Sequence, residues 1–301
     1  MKIALADLPW PFLAQTRVVA QNSDESWHDF YSAVAASGLP AAPKAPDLPS
    51  ALAFLASLTT SARHKIAHAL DAQPNGVPSP HLLKPIDPLA KILLTEGRIA
   101  LSRSNDQAPA KWVVGFSKFA TALADPDAEI RLPDREAHYD AEATLAVVLG
   151  HPAARVNAAA AAKSVIGFTL MAEITHRDMF DAEWRTSNSL YAKNCPGLSP
   201  LGPAIWIAGV KELDPATEII LAVNGATRQR FAVGDFAHSI ANATRAWSRC
   251  VLEPGDMVAL GAAIAKPRPG AELDSPVPIG PGDRIEIACA PIGTLAARFV
   301  A

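Results

Sequence analysis

This chain of 301 residues is short of cysteine, of net charge and of long apolar runs, and each shortage removes a class of protein. Its three cysteines, Cys195, Cys250 and Cys289, stand far apart with no CxxC pair. A disulfide framework and a thiolate zinc site are therefore not expected, and free thiols are. Charged residues make up 19% and the formal net charge is −3, which gives no electrostatic reason to expect nucleic acid or an anionic membrane as partner. No run of ~18 apolar residues escapes interruption by charge or proline. In the opening MKIALADLPWPFLAQT, Asp7 and two prolines break any apolar signal-peptide region. A cytoplasmic protein is expected. Also missing are GxGxxG, the P-loop, GxSxG and HExxH, so dinucleotide, phosphate-loop, nucleophile-elbow and zincin chemistries have no foothold.

What is present is proline, at 26 residues, and many short β-like runs. Frequent proline favours turns, edges and extended connections over long helices. Residues 1–75 read as a small α+β unit. MKIALA suggests a strand, while DESWHDFYSAVAASG and SALAFLASLTTSARHKIAHAL carry apolar residues at helical spacing. His64 and His68 lie one turn apart without an accompanying Glu, as on a solvated helix face. DAQPNGVPSP, 71–80, is the linker candidate. From residue 82 to 301 strand-like segments dominate, interrupted by VNAAAAAKSVIG, with Asn157 as N-cap, and by FAHSIANATRAWSRCVLEPGD. The expected fold class is mixed α/β, mainly β.

One strand carries chemistry on its face. In HYDAEATLAVVLG, 138–150, alternation sets Asp140, Glu142 and Thr144 on one side and Leu145, Val147 and Leu149 on the other. Carboxylates beside a core strand need partners. Those partners can be a functional ligand or a salt bridge to Lys193 or Arg177, and Thr144 can equally line a site or pack as a β-former.

The ordered set EATLAVVLG, VIGFTLMAEITHRDMF, YAKNCPGLSPLGP, LAVNGATRQ, LEPGDMVALG and GPGDRIEIACAPIGTLAARFV resembles the fumarylacetoacetate hydrolase family over about residues 110–301. The resemblance implies a rolled β-sheet catalytic domain over 82–301 behind the small N-terminal domain. It also implies a divalent metal, Mg2+ or Mn2+, held by three carboxylates, and a small 2-oxo or 1,3-dicarbonyl acid as substrate. The metal stabilises an enolate, as a hard Lewis acid does. Family members include hydrolases, lyases and isomerases of aromatic catabolism, commonly homodimers.

Carried over residue by residue, the first metal Glu falls on Glu142, the second on Thr144, and the metal Asp on Glu173. Lys193 matches the active-site lysine. Arg177 keeps its place in the RD pair, Phe180 stands where Gln is frequent, and Lys118 in FSKFAT fits the FxKPxS piece. Ala262 replaces the hydroxyl residue of the TGTP turn. In the lid, GRIALSR places Arg103 at the position of the water-activating His, and no His–Glu dyad is found. Lys193 and Arg103 are thus the catalytic candidates. Lys118, Arg177, Phe180 and Ala262 are the substrate-binding ones, and Glu142, Glu173 and Thr144 the metal ones. Asp140, about 7 Å along the strand from Glu142, and His176 are possible replacements for the missing carboxylate. Without a lid His, decarboxylation, hydration or isomerisation is favoured over hydrolysis. The alternative is a catalytically silent homologue, serving as a partner subunit or a small-acid binder.

Overall fold

The computed structural model describes residues 1–8, 15–74, 76, 80–87, 89–95, 113–184, 190–236, 238–261, 272–273 and 277–301. The N-terminal part opens with β1 (Lys2–Leu8), β2 (Gln15–Gln21) and β3 (Trp27–Asp29), followed by three helices. These are α1 (Phe30–Ala36), α2 (Leu48–Ser57) and α3 (Thr60–Asp71). The apolar spacing of 50–70 reads as one continuous helical stretch, but the chain breaks it at Leu58, which is extended. Thr59 then starts α3 by accepting a hydrogen bond from the Ala62 N–H at 3.2 Å, so a side-chain cap ends the continuity that periodicity implies.

Beyond them run β4 (His81–Leu83), β5 (Ile92–Thr95), β6 (Gly115–Lys118), β7 (Leu123–Ala124), β8 (Ala128–Arg131) and β9 (Tyr139–Leu149). Asn157 caps α4 (Ala158–Ser164), its Oδ1 accepting from the Ala160 N–H at 2.9 Å. β10 (Val165–His176), α5 (Arg177–Trp184), β11 (Ser199–Ile207), β12 (Glu218–Val223), β13 (Ala226–Ala232) and α6 (Ile240–Trp247) follow. The chain closes with β14 (Met257–Ala259), β15 (Glu272–Leu273), β16 (Pro278–Ile279), β17 (Arg284–Cys289) and β18 (Gly293–Val300).

The strands form two sheets. The larger has the order β3-β2-β1-β11-β10-β9-β14-β5-β6, with β4, β7 and β16 added at β1, β11 and β9. The smaller has the order β15-β13-β12-β17-β18-β8. The N-terminal strands do not close a sheet of their own, because β1 pairs antiparallel with β11. Strands with helices only at the sheet faces match the expected mainly-β class.

β9 and β10 form the spine of the large sheet, and both are buried along their whole length. On one face Leu145, Val147, Leu149, Phe168 and Leu170 pack against Ile219, Leu221, Ile285 and Ile287 of the small sheet. On the other face Ala146, Val148, Ile166 and Met171 pack with Phe30, Leu52, Leu55 and Ile66 of the N-terminal helices. Toward residues 140–144 the side chains of that second face turn polar while staying buried. No helix among the described residues is long and apolar enough to cross a membrane.

Candidate active site

The β9–β10 ladder is in antiparallel register with Asp140 opposite Thr175, Glu142 opposite Glu173 and Thr144 opposite Met171. Side chains directly opposite one another in such a ladder sit about 4.5–5.5 Å apart at Cβ, and like charges there repel. Two carboxylates facing each other inside a sheet therefore demand cations. The chain supplies two lysines from distant segments.

Lys193 Nζ lies 2.9 Å from Glu173 Oε1 and donates to Thr175 Oγ1 at 2.8 Å. Lys118, at the end of β6, places its Nζ 3.9 Å from the same Glu173 oxygen and donates to the Lys193 backbone carbonyl. The Lys118 and Glu173 side chains are 0% and 2% exposed, and that of Lys193 is 5% exposed. Aromatic faces close over the ammonium groups. The Phe116 ring centre is 5.7 Å from Lys118 Nζ and 5.8 Å from Lys193 Nζ, and the Phe180 ring is 5.2 Å from Lys193 Nζ. All three contacts are within cation–π range.

The backbone that presents Lys193 is clamped from both sides. Glu183 accepts from the Tyr191 N–H at 2.6 Å and the Ala192 N–H at 3.0 Å. Asn194 accepts from the Phe119 N–H at 2.7 Å and donates to the carbonyls of Ser117 and Leu190, at 3.2 and 2.9 Å. The turn carrying one lysine is thereby fastened to the strand carrying the other. For Glu173, burial pushes the carboxyl pKa up, but Lys193 and then Lys118 outweigh it and hold it below its ordinary value. The two lysines thus favour its carboxylate form.

Asp140 has its own cation. Arg177 places Nη2 2.7 Å and Nε 2.9 Å from Asp140 Oδ2, and its guanidinium lies 5.1 Å from the Phe180 ring centre. Two of its five N–H donors are thus on Asp140. Claimed by Arg177, Asp140 is not drawn along the strand toward Glu142. His176 stands opposite Tyr139 on the other face of the ladder, its ring 4.9 Å from the Tyr139 ring. It is separated from Glu173 by an odd number of strand positions, so it cannot replace a missing carboxylate beside it.

Of the site residues read from the sequence, the structure brings together Glu142, Thr144, Glu173, Lys118 and Lys193, with Arg177 and Phe180 at the rim. Arg103 and Ala262 lie outside the described residues. Sequence reading passed over Thr175, Glu183, Asn194 and Phe116. Period-two alternation could have found two of them, since Phe116 shares a strand face with Lys118 and Thr175 with Glu173.

The three-carboxylate cage that the resemblance implies does not fit this donor set. Hard divalent ions seek several anionic oxygens. Among the described residues no three His, Cys, Asp or Glu side chains gather closely enough to hold a metal. Thr144 supplies a neutral hydroxyl, and its Oγ1 is buried without a hydrogen-bond partner. Glu142 and Glu173 are balanced by Lys118 and Lys193, so the described cluster carries no net negative charge to attract a divalent cation.

Comparisons with known proteins agree with the architecture. Residues 95–300 match the fumarylacetoacetate (FAA) hydrolase C-terminal family. A protein of unassigned function from Pyrococcus abyssi is 32% identical over 220 residues, covering 72% of this chain and 92% of its own length. Fumarylacetoacetate hydrolase from the psychrophile Exiguobacterium antarcticum superposes with a TM-score of 0.73 at 20% identity, covering 100% of this chain and 99% of that one. Maleylpyruvate hydrolase from Sphingobium sp. SYK-6, in complex with manganese(II) ion and pyruvate, gives 0.70 at 22% identity, with 100% and 99% covered. Divalent metal is thus used within the family. Fold, ordered motifs and family match converge, and the chain belongs to the fumarylacetoacetate hydrolase family.

Proposed function

We propose that this protein is an enzyme acting on a small 2-oxo or 1,3-dicarbonyl acid, and that it works by stabilising the enolate formed as a C–C bond breaks or a proton moves. The observation that carries this reading is the buried pair of ammonium groups, Lys193 and Lys118, gathered on one carboxylate at 2.9 and 3.9 Å. Cations fixed in a site shielded from water stabilise developing negative charge far more than they would in bulk solvent. Glu173 pairs with the Lys193 ammonium at 2.9 Å, and Thr175 aims it. Lys118 braces the Lys193 carbonyl and adds a second positive charge. Arg177, a quarter exposed at the rim, has donors beyond those on Asp140 with which to take a substrate carboxylate.

Decarboxylation, hydration or isomerisation fits this equipment better than hydrolysis, because the sequence offers no His–Glu dyad to activate water. A magnesium or manganese ion would find Glu142 and Glu173 as its carboxylate ligands and depend on water and substrate oxygens for the rest, so weak binding is expected. The test is calorimetry with oxalate, a mimic of the enolate of a 2-oxo acid, together with turnover of a panel of acylpyruvates and oxaloacetate, with and without manganese. Oxalate binding with turnover supports the reading. Oxalate binding without turnover of any member would favour a small-acid binder that has lost catalysis. No oxalate binding under either condition would remove the site altogether.

A further inference from the structure

A second cationic site lies between α4 and the C-terminal end of α6, and none of the residues of the candidate active site lines it. A cavity of about 510 Å3 is bounded there by Arg155, Val156, Arg245 and Arg249. Three of its four lining residues are arginines, and none is acidic. Four arginines elsewhere in the fold lean on carboxylates, Arg17 on Asp29, Arg177 on Asp140, Arg230 on Glu218 and Arg284 on Asp127. Arg155 and Arg245 have no such ion pair among the described residues.

The arginines are set on a rigid frame. Arg245 and Arg249 are four residues apart where α6 tightens into a 3-10 turn over Ser248–Cys250, which brings their side chains to neighbouring positions. Arg155 faces them from a left-handed backbone conformation, φ 50°, that non-glycine residues seldom adopt. Ser248 holds it there. Its carbonyl accepts from the Arg155 N–H at 2.9 Å, and its Oγ accepts from the Val156 N–H at 3.2 Å while donating to the Arg245 carbonyl at 2.7 Å. Ala153 and Leu252 exchange two backbone hydrogen bonds of 2.9 Å just beyond. On the inner side, Trp247 donates its Nε1–H to Thr95 Oγ1 at 3.0 Å. Its ring also fills the space beside Gly115, where an added Cβ would come within 2.6 Å. A strained residue kept by several hydrogen bonds in front of like-charged neighbours calls for a compensating ligand.

We propose that this cavity binds a small polyanion, a molecule bearing at least two negative charges on phosphate or carboxylate groups. Its volume suits a compact metabolite. Guanidinium forks match both oxyanions in bidentate geometry, and the forks of Arg155 and Arg245, on two separate segments around one cavity, select for multiple charge over a lone carboxylate.

Calorimetric titration of the full chain with sodium pyrophosphate, with citrate and with acetate tests this, the first two arms separating phosphate from carboxylate. The expected result is saturable one-to-one binding of at least one polyanion, none of acetate, and weakening with added salt. The Arg155→Ala/Arg245→Ala variant should bind about 30-fold more weakly or worse, and Arg245→Lys, which keeps charge but not the fork, should fall between. Should the double variant fail to fold, Arg155→Gln and Arg249→Gln, both at exposed positions, read the same loss. No saturable binding by the folded wild type, or undiminished binding by these variants, would overturn the proposal. So would sedimentation showing that the arginines hold a second copy of the chain and that pyrophosphate only competes with it.

Discussion

The two faces of the β9–β10 ladder are made by alternate residues of the same two strands in the same register, yet they do opposite things. One face is apolar from Tyr139 to Leu149 and disappears into the core under the small sheet. The other is apolar at Ala146, Val148, Ile166 and Met171, then presents Asp140, Glu142, Thr144, Glu173 and Thr175. The first face needs nothing beyond packing, because oily side chains leave water without a partner. The second cannot exist alone. Asp140 draws Arg177, and Glu173 draws Lys118 and Lys193 from segments 75 residues apart.

Breaking the second face should therefore cost catalysis before it costs fold. Lys193→Met is expected to lower turnover by ~10²–10³-fold, the scale seen when a preorganised group at a developing oxyanion is removed. It should also destabilise the chain by up to ~3–5 kcal/mol, since Glu173 loses its nearer cation. Lys193→Met combined with Glu173→Gln should recover most of the stability but none of the turnover, as chemical denaturation and steady-state kinetics would show together. Recovery of both would mean the pair is only structural.

Thr144→Glu sharpens the comparison from the other side. It restores a third carboxylate and leaves the described cluster with a net negative charge, so manganese affinity should rise at least about tenfold. Unchanged affinity by calorimetry would show that Thr144 does not occupy the place of the missing ligand.

At β6, the strand that carries Lys118, the effect is steric. Gly115→Ala would bring a Cβ within 2.0 Å of the Leu94 carbonyl oxygen. A loss of ~1–3 kcal/mol from overpacking is expected in thermal melts, with weakened activity because Lys118 rides on the same strand. The smallest effect is that of pH. Glu173 has a folded pKa below its usual 4.5, so the folded state binds fewer protons at this group than the unfolded state. Its contribution is full above about that value and is lost as pH falls through the depressed folded one. Stability of Glu173→Gln should accordingly depend less on pH in that acid window than stability of the wild type.

Much of this contrast is legible in the sequence, because it rests on local period. Asp140, Glu142 and Thr144 against Leu145, Val147 and Leu149 is a period-two pattern, and the strand follows it. Asn157 as a cap and Lys193 before a Pro-Gly turn are equally local. What the sequence does not show is closure in space. Nothing in FSKFAT states that Lys118 meets the Lys193 carbonyl, nor that Asn194 ties the two segments. Arg177 on Asp140 is likewise set by how α5 leaves β10. His176 illustrates the same limit: three residues from Glu173 would be one turn on a helix, but on the continuing strand it is the opposite face. The break between α2 and α3 escaped because a Thr cap interrupts an otherwise unbroken apolar spacing.

The most direct measurement follows C3 proton exchange of pyruvate in deuterium oxide by proton NMR, with wild type and with Lys193→Met. Pyruvate is the minimal 2-oxo acid, and exchange reports enolate formation without requiring any bond to break. Exchange accelerated by the wild type and reduced ~100-fold or more in the variant is the outcome expected if Lys193 stabilises the enolate. Equal acceleration by both proteins would contradict it.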